Sequence, residues 1–152
     1  MKVVNLIRVL LGTSLIPVSS IVMLTAISIF SQSGDAGPIR SSAAYSEMLL
    51  RKTELLADLE AFSADYTEEN PKILDLRTEL NSLNKLQEKV FGVKPSETGK
   101  LTLALGKLMV RKAALEAELG RLMRGRAKDH PEVKRATRKL EIYDAAINEV
   151  LR

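Results

Sequence analysis

The sequence predicts an all-α protein in which one N-terminal transmembrane helix is followed by two tandem helical hairpins, packed as a four-helix bundle or as an extended coiled coil. Three observations support this fold class. An uncharged apolar segment lies near the N-terminus, and a leucine-rich heptad pattern occupies the remainder. The composition is dominated by Leu, Ala, Glu, Lys and Arg, with only 4% aromatic residues, as is typical of long helices.

The first thirty residues have the composition of a membrane-spanning helix. Lys2 and Arg8 lead into an apolar stretch from Val9 to Phe30, which as a helix would span roughly 33 Å and cross the hydrocarbon core. A cleaved secretory signal is the alternative, because Ser31 and Ser33 form a small-x-small cleavage site, although its apolar region would be only about 7 to 15 residues long. We therefore expect residues 1–30 to be an uncleaved anchor.

The charges beside this segment predict its orientation. Lys2 and Arg8 place the N-terminus in the cytoplasm by the positive-inside rule, so that residues 35–152 are periplasmic or otherwise extracytoplasmic. We expect a single-pass protein of the bacterial inner membrane. The absence of cysteine is compatible with an oxidising compartment.

Small residues recur every seven positions inside the span, at Gly12, Ser19 and Ala26. Such a row lets a neighbouring backbone approach closely and predicts packing against another membrane helix. The alternative is that the hydroxyl side chains only satisfy backbone groups near Pro17.

Residues 31–42 are rich in Gly, Ser and Pro and are expected to be a linker, while residues 43–152 form one helical domain of two repeats, 43–92 and 98–152. Aligning Pro71 with Pro131 brings the halves into register without a gap. Identical residues then occur at Arg51/Arg111, Lys52/Lys112, Leu55/Leu115, Ala57/Ala117, Leu59/Leu119, Leu80/Leu140 and Val90/Val150.

An apolar seam with spacings of three, four and seven runs through both repeats and predicts which side of each helix is buried. In the first repeat it contains Met48, Leu55, Leu59, Phe62, Tyr66, Ile73, Leu76, Leu80, Leu83 and Val90. In the second it contains Leu108, Leu115, Leu119, Leu122, Val133, Ala136, Leu140, Tyr143, Ile147 and Val150.

The seam and its breaks predict helices at approximately 43–67, 71–91, 98–126 and 131–151. Asn70 before Pro71, and Asp129-His130 before Pro131, provide a capping residue followed by proline at the first helical position. The heptad phase continues across both prolines, as a kinked continuous helix would allow. We favour hairpins, because proline inside a helix costs about 3 kcal/mol.

Charge is distributed unevenly between the two halves. Residues 35–94 carry 8 basic and 11 acidic side chains, whereas residues 95–152 carry 13 and 8. Opposite net charges favour packing of the repeats on each other or on neighbouring copies.

The basic excess of the second half is concentrated around its turn and is a candidate surface for an anionic polymer, lipid head groups or an acidic partner. It consists of Arg121, Arg124, Arg126, Lys128, Lys134, Arg135, Arg138 and Lys139. A solvated helical face is the commoner explanation of such a cluster. Nucleic acid is not expected as a partner, because the segment is separated from the genome by a membrane.

Catalytic and metal chemistry are not indicated. The chain has no cysteine and a single histidine, His130, which suits the position before a helix-starting proline better than acid–base catalysis. Phosphate-loop, nucleophile-elbow and metalloprotease motifs are absent. We expect no enzyme activity, no cofactor and no metal. Lys52 and Lys112 share one seam position, where a lysine either specifies register or extends to the edge of the core.

Two paired segments carry a family resemblance: Leu59–Leu80 (LEAFSADYTEENPKILDLRTEL) and Leu119–Leu140 (LGRLMRGRAKDHPEVKRATRKL). Each has a Leu-rich helix, a turn that ends in proline and a second Leu-spaced helix. This pattern resembles the coiled-coil region of the polysaccharide chain-length-determinant (co-polymerase) family. The resemblance implies an inner-membrane protein whose periplasmic helices oligomerise and help control polysaccharide export or length.

Three functions follow as hypotheses. The first is a non-enzymatic, membrane-anchored scaffold or assembly protein, with the lipid bilayer and copies of itself as partners. The second is a single-span accessory subunit of a larger inner-membrane complex, which contacts other membrane helices. The third is a periplasmic helical chaperone.

The accessory-subunit hypothesis makes a direct prediction. Replacing Gly12 and Ser19 together with Leu should release the protein from its membrane complex, because the larger side chains keep the neighbouring backbone at a distance. Co-purification of the complex measures the release, and an unchanged complex would exclude this packing face.

Overall fold

The computed structural model describes residues 36–152, and every regular element in that range is helical. The elements are α1 (Gly37–Arg40), α2 (Ala43–Asp65), α3 (Pro71–Phe91), a 3-10 helix (Pro95–Lys100), α4 (Leu103–Gly125) and α5 (Pro131–Leu151). The expected anchor, with Gly12, Ser19 and Ala26, lies outside the described residues. Among the helices described, none combines the length and the apolar character that a membrane span requires.

The four expected helices are present, with differences at their ends. α2 stops at Asp65 because Tyr66 is extended, with φ −129° and ψ 154°. The helix expected from residue 98 begins at Leu103, since Pro95–Lys100 forms a separate 3-10 helix and Thr102 caps α4. The expected linker 31–42 contains the short helix α1, which Pro38 helps to start.

The same offset of 60 residues that aligns the two halves of the sequence also relates the bounds of the helices, from Ala43–Asp65 to Leu103–Gly125 and from Pro71–Phe91 to Pro131–Leu151. The caps correspond as well. Ser42 and Thr102 accept a hydrogen bond from the backbone N–H three residues ahead, at 3.2 and 3.3 Å. Asn70 and His130 accept from the N–H two residues ahead, at 2.8 and 3.2 Å. Each cap satisfies a backbone donor that the helix leaves free.

α2 and α3 form hairpin 1, and α4 and α5 form hairpin 2, so the expected hairpins are confirmed over continuous kinked helices. α4 packs against α2, α3 and α5, and is the central helix of the described domain. Its residues Leu105, Met109 and Ala113 are buried in the main core. Leu122 instead packs with Val133 and Ala136 of α5 near the turn of hairpin 2.

The seam describes the core only in part. Half of its leucines are buried and the other half are partly buried, but Tyr66 is 53% exposed and Val150 is 36% exposed. Tyr66 follows the last residue of α2. Val150 lies at the end of α5, where Ile147 and Leu151 are the residues that face the core. Conversely, Leu105, Met109 and Ala113 lie outside the seam and are fully buried. They are buried because α4 contacts three helices, and so needs a wider apolar sector than one heptad stripe.

The two hairpins approach each other closely at Gly106. A Cβ atom at this position would lie 2.8 Å from the Ala44 Cα and 2.9 Å from the Ala44 carbonyl oxygen. Both are backbone atoms, which cannot turn aside as a flexible side chain can. The adjoining Ala44 N–H donates to the Leu101 carbonyl at 3.2 Å, which fixes the start of α2 against the start of α4. Glycine is therefore required here for close packing.

Gly106→Ala should lower the free energy of unfolding by about 1–3 kcal/mol, because the added methyl group forces the two backbones apart. Gly120→Ala is the matched control on the same helix, since its Cβ would meet only the Thr78 Cγ2 at an ordinary 3.7 Å. Better helix propensity should make that control neutral or stabilising by up to about 1 kcal/mol. Chemical denaturation measures both, and equal effects would contradict the close approach.

Candidate functional site

The expected basic surface divides into paired and unpaired groups. Arg126 pairs with Glu132 at 3.0 Å, and Arg124 pairs with Asp75 of α3. The remaining members are exposed, and within residues 36–152 none of them forms an ion pair: Arg121, Lys128, Lys134, Arg135, Arg138 and Lys139. Two of the eight basic residues thus form ion pairs, and the others face solvent.

Three of the unpaired members share a shallow groove between α4 and α5. Arg121, Arg135 and Lys139 line this space of about 180 Å³, together with Glu118 and Glu132. Two carboxylates among three cations reduce the local positive potential. The groove suits a partner that brings both charge signs better than it suits a polyanion.

Lys128, Lys134 and Arg138 lie outside this groove. Lys128 is in the turn between α4 and α5, and the other two are exposed on α5. The sequence run therefore maps to the turn and to more than one side of α5, and does not form a single anion-binding pocket.

A polar network that the sequence did not indicate joins α3, α4 and α5 around a buried lysine. Lys112 of α4 is only 9% exposed. Its Nζ donates to Asp144 of α5 at 2.6 Å and lies 3.6 Å from Glu116. Glu116 in turn accepts a hydrogen bond from Ser82 of α3. A buried ammonium group is costly unless carboxylates compensate it, and here two do.

The Lys112 ammonium, as hydrogen-bond donor, holds the pKa of Asp144 below its ordinary value, although partial burial acts in the opposite direction. Lys112 itself lies on the apolar seam at a heptad position shared with Lys52. Its acidic partner is 32 residues away in sequence, so no local pattern could reveal the pair.

The equivalent position in hairpin 1 is different. Lys52 is half-buried, and its Nζ reaches Gln87 Oε1 at 3.4 Å. Asn84 replaces the aspartate, and its Oδ1 is buried without a hydrogen-bond partner. A groove of about 370 Å³ opens beside these residues and Phe91. Lys112 is thus an internal ion-paired residue, whereas Lys52 lies at the edge of the core.

His130 serves as a helix cap. Its Nδ1 accepts a hydrogen bond from the Glu132 N–H at 3.2 Å, which assigns the ring proton to Nε2 when the imidazole is neutral. Within the described residues no group of three or more His, Asp or Glu side chains is arranged to hold a metal ion. No protein-family model, curated protein or solved structure matches the chain.

Asp144→Asn should reduce the free energy of unfolding at pH 7 by about 1 kcal/mol, because Lys112 loses its nearest carboxylate while Asp144 is partly exposed to screening solvent. Since the pKa of Asp144 is lowered on folding, its contribution is present at neutral pH and disappears as the pH falls below about 4. The difference between wild type and variant should therefore shrink between pH 7 and pH 3.

Urea denaturation at several pH values measures this difference. Glu149→Gln, at an exposed carboxylate on the same helix, is the control and should have little effect at any pH. A difference for Asp144→Asn that stays constant down to pH 3 would contradict the ion pair.

Proposed function

We propose that this chain is a non-enzymatic, membrane-anchored extracytoplasmic scaffold that assembles an envelope complex through its helical surfaces. The observation that carries the proposal is the exposure of large apolar side chains in a domain with a well-packed core. Leu50 and Ile142 are 59% and 68% exposed, and Leu49 and Leu56 are 45% and 46% exposed.

Two of these residues belong to a row along hairpin 1. Leu49 and Leu56 are seven residues apart and therefore lie on one side of α2. At the end of α3 that lies beside the start of α2, Phe91 is 39% exposed and packs edge-on against Tyr45, with ring centroids 5.7 Å apart. A row of apolar side chains along a hairpin is a surface that another helix can cover.

The membrane part of the proposal rests on the sequence of residues 1–30. An anchored helical domain can collect partners in the plane of the bilayer, where each binding event is favoured by high effective concentration. The resemblance to the chain-length-determinant family supports polysaccharide export as the system assembled. Gly12, Ser19 and Ala26 support the second candidate, an accessory subunit that docks within the membrane.

Purification of the full chain in mild detergent tests the proposal. A scaffold should emerge as a discrete homo-oligomer or with a co-purifying envelope protein, as read by light scattering and mass spectrometry. Chemical cross-linking in intact cells before extraction controls for complexes that detergent disrupts. A strictly monomeric chain with no cross-linked partner would overturn the proposal.

A further inference from the structure

Hairpin 2 packs on hairpin 1 through contacts spread along the helices. The pairs are Ala44 with Gly106, Ser82 with Glu116, Thr78 with Gly120, and Asp75 with Arg124. We call the side of hairpin 1 that contributes to these pairs its receiving face, and the side of hairpin 2 that contributes its docking face. The receiving face contains Ala44, Asp75, Thr78 and Ser82, and the docking face contains Gly106, Glu116, Gly120 and Arg124.

The two hairpins are related by an offset of 60 residues. Hairpin 1 therefore has residues equivalent to the docking face, and hairpin 2 has residues equivalent to the receiving face. The docking-face counterpart on hairpin 1 consists of Ser46, Leu56, Glu60 and Ala64. The receiving-face counterpart on hairpin 2 consists of Ala104, Arg135, Arg138 and Ile142. All of these residues are exposed in the described domain. Each hairpin thus uses one face within the chain. Its second face, which matches the one used by the other hairpin, is open to solvent.

The open faces are complementary when their residues are paired as the equivalent residues are paired inside the chain. The contact of Ser82 with Glu116 becomes Ile142 with Leu56, an apolar pair whose members are 68% and 46% exposed. The contact of Thr78 with Gly120 becomes Arg138 with Glu60, a pair of opposite charge. Covering the first pair removes apolar surface from water, and the second pair fixes the register.

Each of the two remaining transferred pairs contains at least one small residue, and neither brings like charges together. Ala104 would meet Ser46 where Ala44 meets Gly106, and Arg135 would meet Ala64 where Asp75 meets Arg124. Ser46 has a Cβ where Gly106 has none, so helices joined here must lie farther apart than α2 and α4 do. Ile142 is larger than Ser82 and requires the same wider spacing. Both changes increase the spacing between the paired helices, so one wider spacing accommodates both contacts.

Charge also favours this pairing. In hairpin 1, Arg51 Nε donates to Glu79 at 2.7 Å, and this hydrogen bond raises the pKa of Arg51. The equivalent residues in hairpin 2 are Arg111 and Lys139, both exposed and both positive. Two exposed cations at the place of an ion pair favour a partner that carries negative charge. Residues 35–94, with 11 acidic and 8 basic side chains, supply it.

We infer that the open face of hairpin 1 (Ser46, Leu56, Glu60, Ala64) binds the open face of hairpin 2 (Ala104, Arg135, Arg138, Ile142) of a second copy of this chain. The inference rests on the proposed scaffold function and names its partner. Because the two faces differ, the contact is heterologous and joins copies head to tail into a ring or an open row.

Complementary single variants of the full chain in detergent test the inference. Leu56→Asp disables only the open face of hairpin 1, and Ile142→Glu only that of hairpin 2. Each variant alone should associate at least about tenfold more weakly than wild type, because a charge replaces a central apolar contact. A mixture of the two should form a heterodimer and nothing larger, because each variant retains the face that the other lacks.

Sedimentation velocity and pull-down between differently tagged copies provide the readout, and circular dichroism verifies that both exposed-site variants are folded. Met123→Glu, at a 44% exposed apolar residue of hairpin 2 outside both open faces, is the control and should assemble as wild type does. Self-association that survives both substitutions, or a mixture that stays monomeric, would overturn the inference. If wild type binds a different protein and not itself, this inference fails while the scaffold function stands.

Charge reversal tests the register independently. Glu60→Arg and Arg138→Glu should each weaken association, and the chain that carries both changes should recover it, as expected for a directly interacting pair. Glu69→Arg, in the exposed turn of hairpin 1, controls for net charge. If Arg138→Glu reduces only binding to phosphatidylglycerol vesicles and leaves self-association unchanged, the basic surface is a lipid contact and the head-to-tail interface is wrong.

Discussion

The arrangement of the described helices depends on the close approach of α2 and α4 at Ala44 and Gly106. A glycine at this point lets the two backbones touch, so that hairpin 2 lies on hairpin 1 with α4 against both α2 and α3. From there the interface continues through Ser82 with Glu116 and Asp75 with Arg124. A side chain at position 106 would meet the Ala44 backbone and would have to push the starts of α2 and α4 apart.

This contact also distinguishes two hairpins that are otherwise built alike. They share helix lengths and capping positions, yet the lysine at the shared seam position is buried in hairpin 2 and only half-buried in hairpin 1. Lys112 is buried, and Asp144 and Glu116 of the same hairpin compensate its charge. At the matching site the Lys52 Nζ reaches Gln87, and Asn84 stands in place of the aspartate. When two similar hairpins pack through one face each, the equivalent face of each hairpin stays open for another molecule. Repeat proteins extend by stacking neighbours in this way.

Helix type and position could be predicted from the sequence because heptad spacing and X-Pro caps are local signals. α4 begins at Leu103 and not at the expected residue 98, because Pro95–Lys100 forms a separate 3-10 helix. The burial of Leu105, Met109 and Ala113 could not be predicted, because it depends on the number of neighbours α4 has and not on the period of its sequence. The basic run was visible, but the ion pair of Arg124 with Asp75 joins residues 49 apart. Long-range pairing therefore determines which charges remain free.

The central claim is that one type of hairpin contact is used within the chain and again between chains. The absence of native cysteine allows a direct measurement by disulfide trapping. Ser46→Cys and Ala104→Cys are prepared as separate full-length proteins, mixed in detergent and oxidised. We predict a disulfide-linked dimer from the mixture and none from either protein alone, because a head-to-tail contact sets unlike residues together. Equal cross-linking of each variant with itself, or none in the mixture, would contradict the claim.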